Sequence, residues 1–503
     1  MSDERSLPNS TSRAPETDGR SAILLAIRNA LTLGGALLMT WTIGLSMRVA
    51  IPRHLGPTAF GTISWADAFT TTLFVILSLG LDAYIRKEVA VRPEHASDFY
   101  GGAIVVRIAI TLGLLGSLGL FLHFTHRPFD VSALVMLYAL AQFAATSNAT
   151  LGAMLHAKGR VRGMSALSVV TKVIWAVGVL CAFAVNAPLW GYGAAYFASE
   201  AVEVVVLTEL ARKHLGLVFR VDPTATRAML KSSLPYSIAG IATTAYSSLG
   251  ASMLEFVAGS KEVGLYNAAF TLANLTLLMS PILGWVLTPM LARAATQSRA
   301  AIFEHTSRTM ELVLTLAIPA SMLINLGASV WVRVVFGAPF ANASMALRVM
   351  STLFVLTYMA IIYANTLVVL ERAWALTWIS VGGLVVNATL NIVFVHYSMQ
   401  LLGEGGGGAG CAAAMLGTEI FVAACMAYIA GRAAFDRRCA QTVGRGLLVY
   451  GVVAVVHVLV ARSGLNPLAL DVALYLALAM AIGAFRPKEI VSTVREALRR
   501  RSE

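Results

Sequence analysis

The sequence predicts an all-α integral membrane protein of about fourteen transmembrane helices, with no soluble catalytic domain. Three observations predict it. Of 503 residues, 57% are hydrophobic and only 13% charged, against roughly 25% charged in a soluble domain. The apolar residues come in runs of about 20, the length a helix needs to cross hydrocarbon with its backbone groups paired. The Lys and Arg residues sit in short clusters between those runs.

The elements follow in order. Residues 1–24 read as a polar, disordered cytoplasmic tail. Arg28 opens the first span, at 27–50, and the turn IPRHLGPTA separates it from the second, at 61–81. Arg86, Lys87 and Arg92 precede a third at 99–123, and Arg127 a fourth at 131–156. Lys158, Arg160 and Arg162 precede a fifth at 164–186, with a sixth close behind at 189–211. These six form an N-lobe over 25–215. A basic segment ending at Lys231 leads into a second set, at 228–257, 262–291, 303–327, 342–370, 373–397 and 408–430, a C-lobe over 216–432. Spans at 444–461 and 467–485 complete the fourteen within 433–486. In the basic tail, 487–503, Ile490, Val491, Val494, Ala497 and Leu498 share one helical face, which predicts an interfacial amphipathic helix on an anionic leaflet. Pro235, Pro281, Pro289 and Pro319 interrupt spans seven to nine and read as hinges or static kinks.

The formal charge of +12 does not point to nucleic acid, because no basic aromatic stretch or binding motif accompanies it. With the N-terminus inside, only Arg48, Arg53, Arg127, Lys261, Arg333, Arg348 and Arg462 fall on the outer side, and Arg107 and Lys172 fall inside spans. The remainder of the 38 lie inside, a bias of roughly four to one that puts both termini in the cytoplasm. Cys181, Cys411, Cys425 and Cys439 form no C-x-x-C pair and read as free thiols. The glycine run at 405–408 lacks the G-K-[ST] ending of a phosphate loop and reads as a flexible outer loop. No metal cluster, nucleotide motif or nucleophile–base motif calls for a cofactor.

The second set of spans echoes the first. Gly56 and Gly61 match Gly259 and Gly264 at an offset of 203 residues, and the same offset pairs Arg28 with Lys231. Six spans per unit keep both units in one orientation, so the pseudo-two-fold axis runs along the membrane normal and a cleft lies between the lobes.

The run RNALTLGGALLMTWTIGLSMRVAIPRHLGPTAFGTISWADA, followed by LGLDAYIRKEVAVR, resembles the N-terminal signature of bacterial polysaccharide-transport proteins. These are the O-antigen and exopolysaccharide flippases of the multidrug/oligosaccharidyl-lipid/polysaccharide superfamily. GSKEVGLYNAAFTLANL, FGAPFANASMALRVM and the Asn387/Asn391 helix before GGGGAGCAAAM resemble its second-lobe pattern. The resemblance covers roughly 25–485. It implies a multi-pass inner-membrane protein, not an enzyme. Such a protein moves undecaprenyl-pyrophosphate-linked oligosaccharide to the periplasmic leaflet by alternating access, for O-antigen, exopolysaccharide or capsule. It also implies membrane lipids, a polysaccharide polymerase and a chain-length regulator as partners. Two alternatives stay open: a cation-coupled multidrug efflux transporter of the same superfamily, and a lipid II flippase.

A diphosphate head needs cations in a wet cleft, and Arg suits it best because its planar fork bonds bidentately. Arg107 and Lys172 each lie about eight residues into a span, roughly 12 Å deep, where a charge must face a cavity or a partner. They are candidate substrate contacts, or structural pairs. Arg48 and Arg53 flank the outer end of the first span; Arg48 has Ala251 at the repeat offset, while Arg53 reads as a vestibule cation or a loop anchor. Asp67, Glu200 and Glu419 are candidate ion-coupling carboxylates, with Glu203 one turn from Glu200. Their other reading is neutralisation of Arg107, Lys172 or Arg348. Asp67 is the foremost coupling candidate.

Overall fold

The computed structural model describes residues 19–81, 85, 96–157, 161–431, 434–463 and 467–483. The expectations for the N-terminal tail and for the amphipathic C-terminal tail lie outside the described residues, as do Arg86, Lys87, Arg92, Lys158 and Arg160.

All fourteen expected spans fall on helix. The first two are limbs of one long element, α1 (Gly19–Phe74), closed by a 3₁₀ turn at Val75–Ser78. Gly56 breaks α1 with φ 74 and ψ 174, a region essentially only glycine enters. Pro57 follows it and disfavours helical geometry at the residue before. Then come α2 (Ala96–Phe124), α3 (Phe129–Ala157), α4 (Val161–Ala184) and α5 (Leu189–Leu215). The C-lobe opens with α6 (Pro223–Ala258), started by Pro223 at its first position and by the Asp222 carboxylate, which accepts from the Thr224 and Ala225 amides. The eighth span is two helices, α7 (Ser260–Leu275) and α8 (Ser280–Gln297), joined by a 3₁₀ turn just before Pro281. α9 (Arg299–Leu326) begins at a Ser298 cap and runs on through Pro319. A short helix not expected from the sequence, α10 (Ala328–Phe336), leads to α11 (Ala343–Val369), α12 (Ala373–Leu402), α13 (Gly406–Ala430), α14 (Arg437–Ala461) and α15 (Leu468–Ala481). Among the described residues nine helices are long and apolar enough to cross a bilayer. The first, Gly35–Ser78, has 44 residues, enough for two crossings. Leu112, Phe124, Trp378 and Leu448 turn large apolar side chains outward from these helices, as a lipid-facing surface requires.

Packing repeats between the lobes. In the N-lobe α5 packs on α3 and α4, α2 on α3, and α4 on α1. In the C-lobe α13 packs on α11 and α12, α9 on α11, and α12 on α6. Two six-helix lobes thus share one plan, with α14 laid on α9 and α15 on α14. His457 and Asp471 join that last pair at 2.6 Å.

The lobes meet where the second limb of α1 lies along α6 and α7. Gly259, between α6 and α7, has φ 82 and ψ 170, nearly the conformation of Gly56. A Cβ on Gly61 would strike the Ser260 carbonyl and come within 2.8 Å of the Gly264 nitrogen; a Cβ on Gly264 would strike the Pro57 carbonyl and come within 3.2 Å of the Gly61 nitrogen. Pro57 and Ser260 are themselves separated by the repeat offset, so the contact is reciprocal. The seam continues to Gly80, packed against Ser237.

The glycine run is not a flexible loop. Gly405–Gly408 are buried, and Gly406 begins α13. The Glu262 carboxylate on α7 accepts from the Gly405 amide and, at 2.9 Å, from the Gly408 amide. A chain of glycines has poor helix propensity; here a carboxylate at the helix start satisfies its free amides and opposes its dipole.

Candidate functional site

Two polar clusters lie inside the apolar bundle, one in each lobe. In the N-lobe, Asp67 sits on the second limb of α1, where Trp65, Ala66 and Thr70 are fully buried. Asp67 itself is exposed. Arg48 on the first limb of α1 and Lys172 on α4 both lie close enough to act on its charge. Arg48 is exposed and Lys172 half-buried, its ammonium 5.6 Å from the Trp175 ring. Tyr138 on α3 and Tyr196 on α5 lie within electrostatic reach of Asp67, with their rings 5.2 Å apart.

Behind this group stand two more carboxylates. Glu200 accepts from Asn148 Nδ2 at 2.9 Å, and Glu203 from Thr171 Oγ1 at 3.1 Å. Lys172 acts on Glu203 as well as on Asp67. The structure therefore gathers Arg48, Asp67, Lys172, Glu200 and Glu203 into one region of the N-lobe. Such a cluster can bind an anion through its cations and exchange a cation or proton at its acids.

Arg107 and Arg53 stand apart from it. Arg107 has no exposed surface, and its Nε donates to the Leu77 carbonyl at 2.7 Å, bracing α2 against the 3₁₀ turn that ends α1. Arg53 Nη2 donates at 2.6 Å to the Val334 carbonyl near the end of α10, the geometry of a loop anchor.

In the C-lobe, Glu419 on α13 is 5% exposed, and its Oε2 has no hydrogen-bond partner among the described residues. Tyr246 on α6 lies within electrostatic reach of it. Beside it Asn387 Nδ2 donates to Thr418 Oγ1 at 3.1 Å, and Asn391 Nδ2 donates to Asn387 Oδ1 at 2.9 Å. Asn391 Oδ1 is a second buried acceptor without a partner among the described residues. Sequence reasoning did not treat the two asparagines as part of a site, although amides four residues apart in an apolar span were the available signal.

Sequence reasoning also missed the charged pairs at the end of the bundle remote from the N-terminus. Arg127 Nη1 donates to Glu255 Oε1 at 3.1 Å, and Ser260 Oγ donates to the same oxygen at 3.0 Å. Lys261 meets Glu404 at 2.9 Å, and Asn342 donates to Glu404 at 3.1 Å. The Lys261 ammonium, by hydrogen bond and charge, holds the Glu404 carboxyl below the usual carboxylate range.

Comparison with known proteins gives a consistent neighbourhood. A family model described as polysaccharide biosynthesis protein matches residues 26–295. No curated protein matches the chain in sequence. Among solved structures, the lipid II flippase MurJ in an inward closed conformation superposes with TM-score 0.70 at 10% identity, over 91% of this chain and 99% of its own. An inward-facing multidrug resistance MATE family transporter of the MOP superfamily gives 0.59 at 14% identity, over 78% of this chain and 96% of its own. The Vibrio cholerae MATE transporter VcmN in its bent form gives 0.53 at 13% identity, over 81% and 99%. At such identities the likeness is one of fold.

Proposed function

Because this chain belongs to the polysaccharide biosynthesis protein family, whose model covers more than half of it, we propose that it flips undecaprenyl-pyrophosphate-linked oligosaccharide from the cytoplasmic to the periplasmic leaflet of the inner membrane. The product feeds O-antigen, exopolysaccharide or capsule, with a polymerase and a chain-length regulator acting next. The observation that carries this reading is the gathering of Arg48, Lys172 and Asp67 within electrostatic reach of one another in the N-lobe, which we read as the wall of a cleft. The two cations receive the diphosphate. Asp67, within electrostatic reach of both, exchanges a cation or proton when the diphosphate binds beside it. Glu419, whose Oε2 has no hydrogen-bond partner among the described residues, is the corresponding coupling group of the C-lobe.

The lobes are taken as 25–215 and 216–432, with both termini cytoplasmic. The end carrying Arg127, Lys261 and Glu404 is then periplasmic. Arg107 acts here as a brace, and Arg53 as an anchor.

The test is made in cells depleted of this protein, with a glycan probe applied to intact spheroplasts and to lysed membranes. Intermediate that accumulates and is reached only after lysis supports the reading. Full-length intermediate still reaching the outer leaflet sinks it. The likeness to MurJ supports a second reading, with lipid II as cargo. The two share the diphosphate lipid, so the same assay run with a lipid II probe separates them.

A further inference from the structure

The periplasmic end of the bundle is closed by side chains that reach across from one lobe to the other. Arg127 belongs to the N-lobe, between α2 and α3; Glu255 belongs to the C-lobe, near the end of α6. Their ion pair is 3.1 Å long, with side chains 26% and 4% exposed. The Arg127 guanidinium also lies 4.9 Å from the ring centre of Trp65 on α1. Phe69 and Phe121 of the N-lobe and Phe256 of the C-lobe pack around that ring at 5.3–6.2 Å spacings. Glu255 Oε2 has no hydrogen-bond partner among the described residues.

An exposed ion pair would part at little cost. This one is different, because the carboxylate is buried and water does not replace the lost cation until the seam is fully open. Nor do neighbouring charges substitute for Arg127. Lys261 is engaged by Glu404.

We propose that the Arg127–Glu255 pair, clamped on Trp65, is the latch that holds the periplasmic end closed and sets the balance between inward-facing and outward-facing states. The proposal rests on the transporter reading above. It adds which contact governs the switch. The reciprocal Gly61–Gly264 crossing lies beside it as the surface along which the lobes part.

The experiment uses the full chain in liposomes, with the four cysteines replaced by serine and spin labels at Asp130→Cys and Gln400→Cys, both exposed near the periplasmic end. Distances between the labels report closure without any substrate, so the result is independent of what the protein carries. The latch predicts that Glu255→Gln and Arg127→Gln each raise the long-distance population about tenfold or more. It also predicts that the exchange Arg127→Glu with Glu255→Arg returns it toward wild type. Unchanged distances in both single variants, in protein that remains folded by thermal melt, overturn the latch. So does an exchange that folds but stays open. If Glu255→Gln does not fold, Arg127→Gln, altering the more exposed partner, decides alone. Failure of the leaflet assay with the latch intact would remove the substrate reading and leave the gate.

Discussion

Two acids on neighbouring elements show how little a charge's position alone says about its worth. Glu404 is a surface partner of Lys261, and Glu262, one residue beyond that lysine, holds two buried amides. Glu262→Ala should cost about 3 kcal/mol, since hydrogen bonds to a charged group are worth roughly 1.5–3 kcal/mol. Glu404→Gln should hardly move the melting temperature at neutral pH. The sign with pH follows from the lowered value of Glu404: its contribution is full above the ordinary carboxylate range and fades as pH falls through the lowered one. Melts of both variants against pH check this. In the cleft, Arg48→Ala and Lys172→Ala should each cut translocation about tenfold, Arg48→Lys less, because a point charge replaces a bidentate fork. Arg53→Ala should leave it within about twofold, since one exposed hydrogen bond is worth about 1 kcal/mol. The leaflet assay reads all four. Charges inside apolar runs were legible because they are anomalies there. Their partners were not: Glu262 meets amides more than a hundred residues away, and only packing brings them together.

Helix starts and crossings obey constraints that sequence reports unevenly. The matched glycines at 56, 61, 259 and 264 stood out because they repeat at one offset, and the structure gives each pair one job, a turn with positive φ or a close crossing. The run 405–408 misled, because four glycines carry no local helix signal and the carboxylate that organises them comes from α7. α10 escaped notice because nine residues are too few for periodicity to show. The crossing makes a clear contrast. Gly61→Val or Gly264→Val forces a side chain into backbone and should cost at least about 2 kcal/mol. Gly113→Ala, with open space around it, should be neutral or stabilise by up to about 1 kcal/mol. Thermal unfolding in detergent distinguishes them.

At the scale of the whole chain, apolar runs separated by charged turns located the spans but not every helix, and six spans per unit keep both units in one orientation. What differs between lobes was less visible. The N-lobe cluster carries cations and acids together, while the C-lobe cluster sets Glu419 among amides and hydroxyls. The two C-terminal helices touch the lobes mainly through α9. Asp471→Ala, which strips His457 of its partner, should therefore lower thermal stability by about 2 kcal/mol while leaving translocation near wild type in the leaflet assay.

The reciprocity of the glycine crossing has a consequence for how such a chain changes over generations. Pro57 meets Gly264 as Ser260 meets Gly61, the pattern of an isologous contact between two copies of one subunit. In a true dimer every substitution appears twice, on both sides of the axis, and a new charge faces its own copy. With both halves on one strand of peptide, each mutation is felt once. The halves keep a shared joint at the axis while their interiors differ, one mixing cations with acids and the other setting an acid among amides. A fused pair is thereby free to specialise where a paired oligomer is held to symmetry.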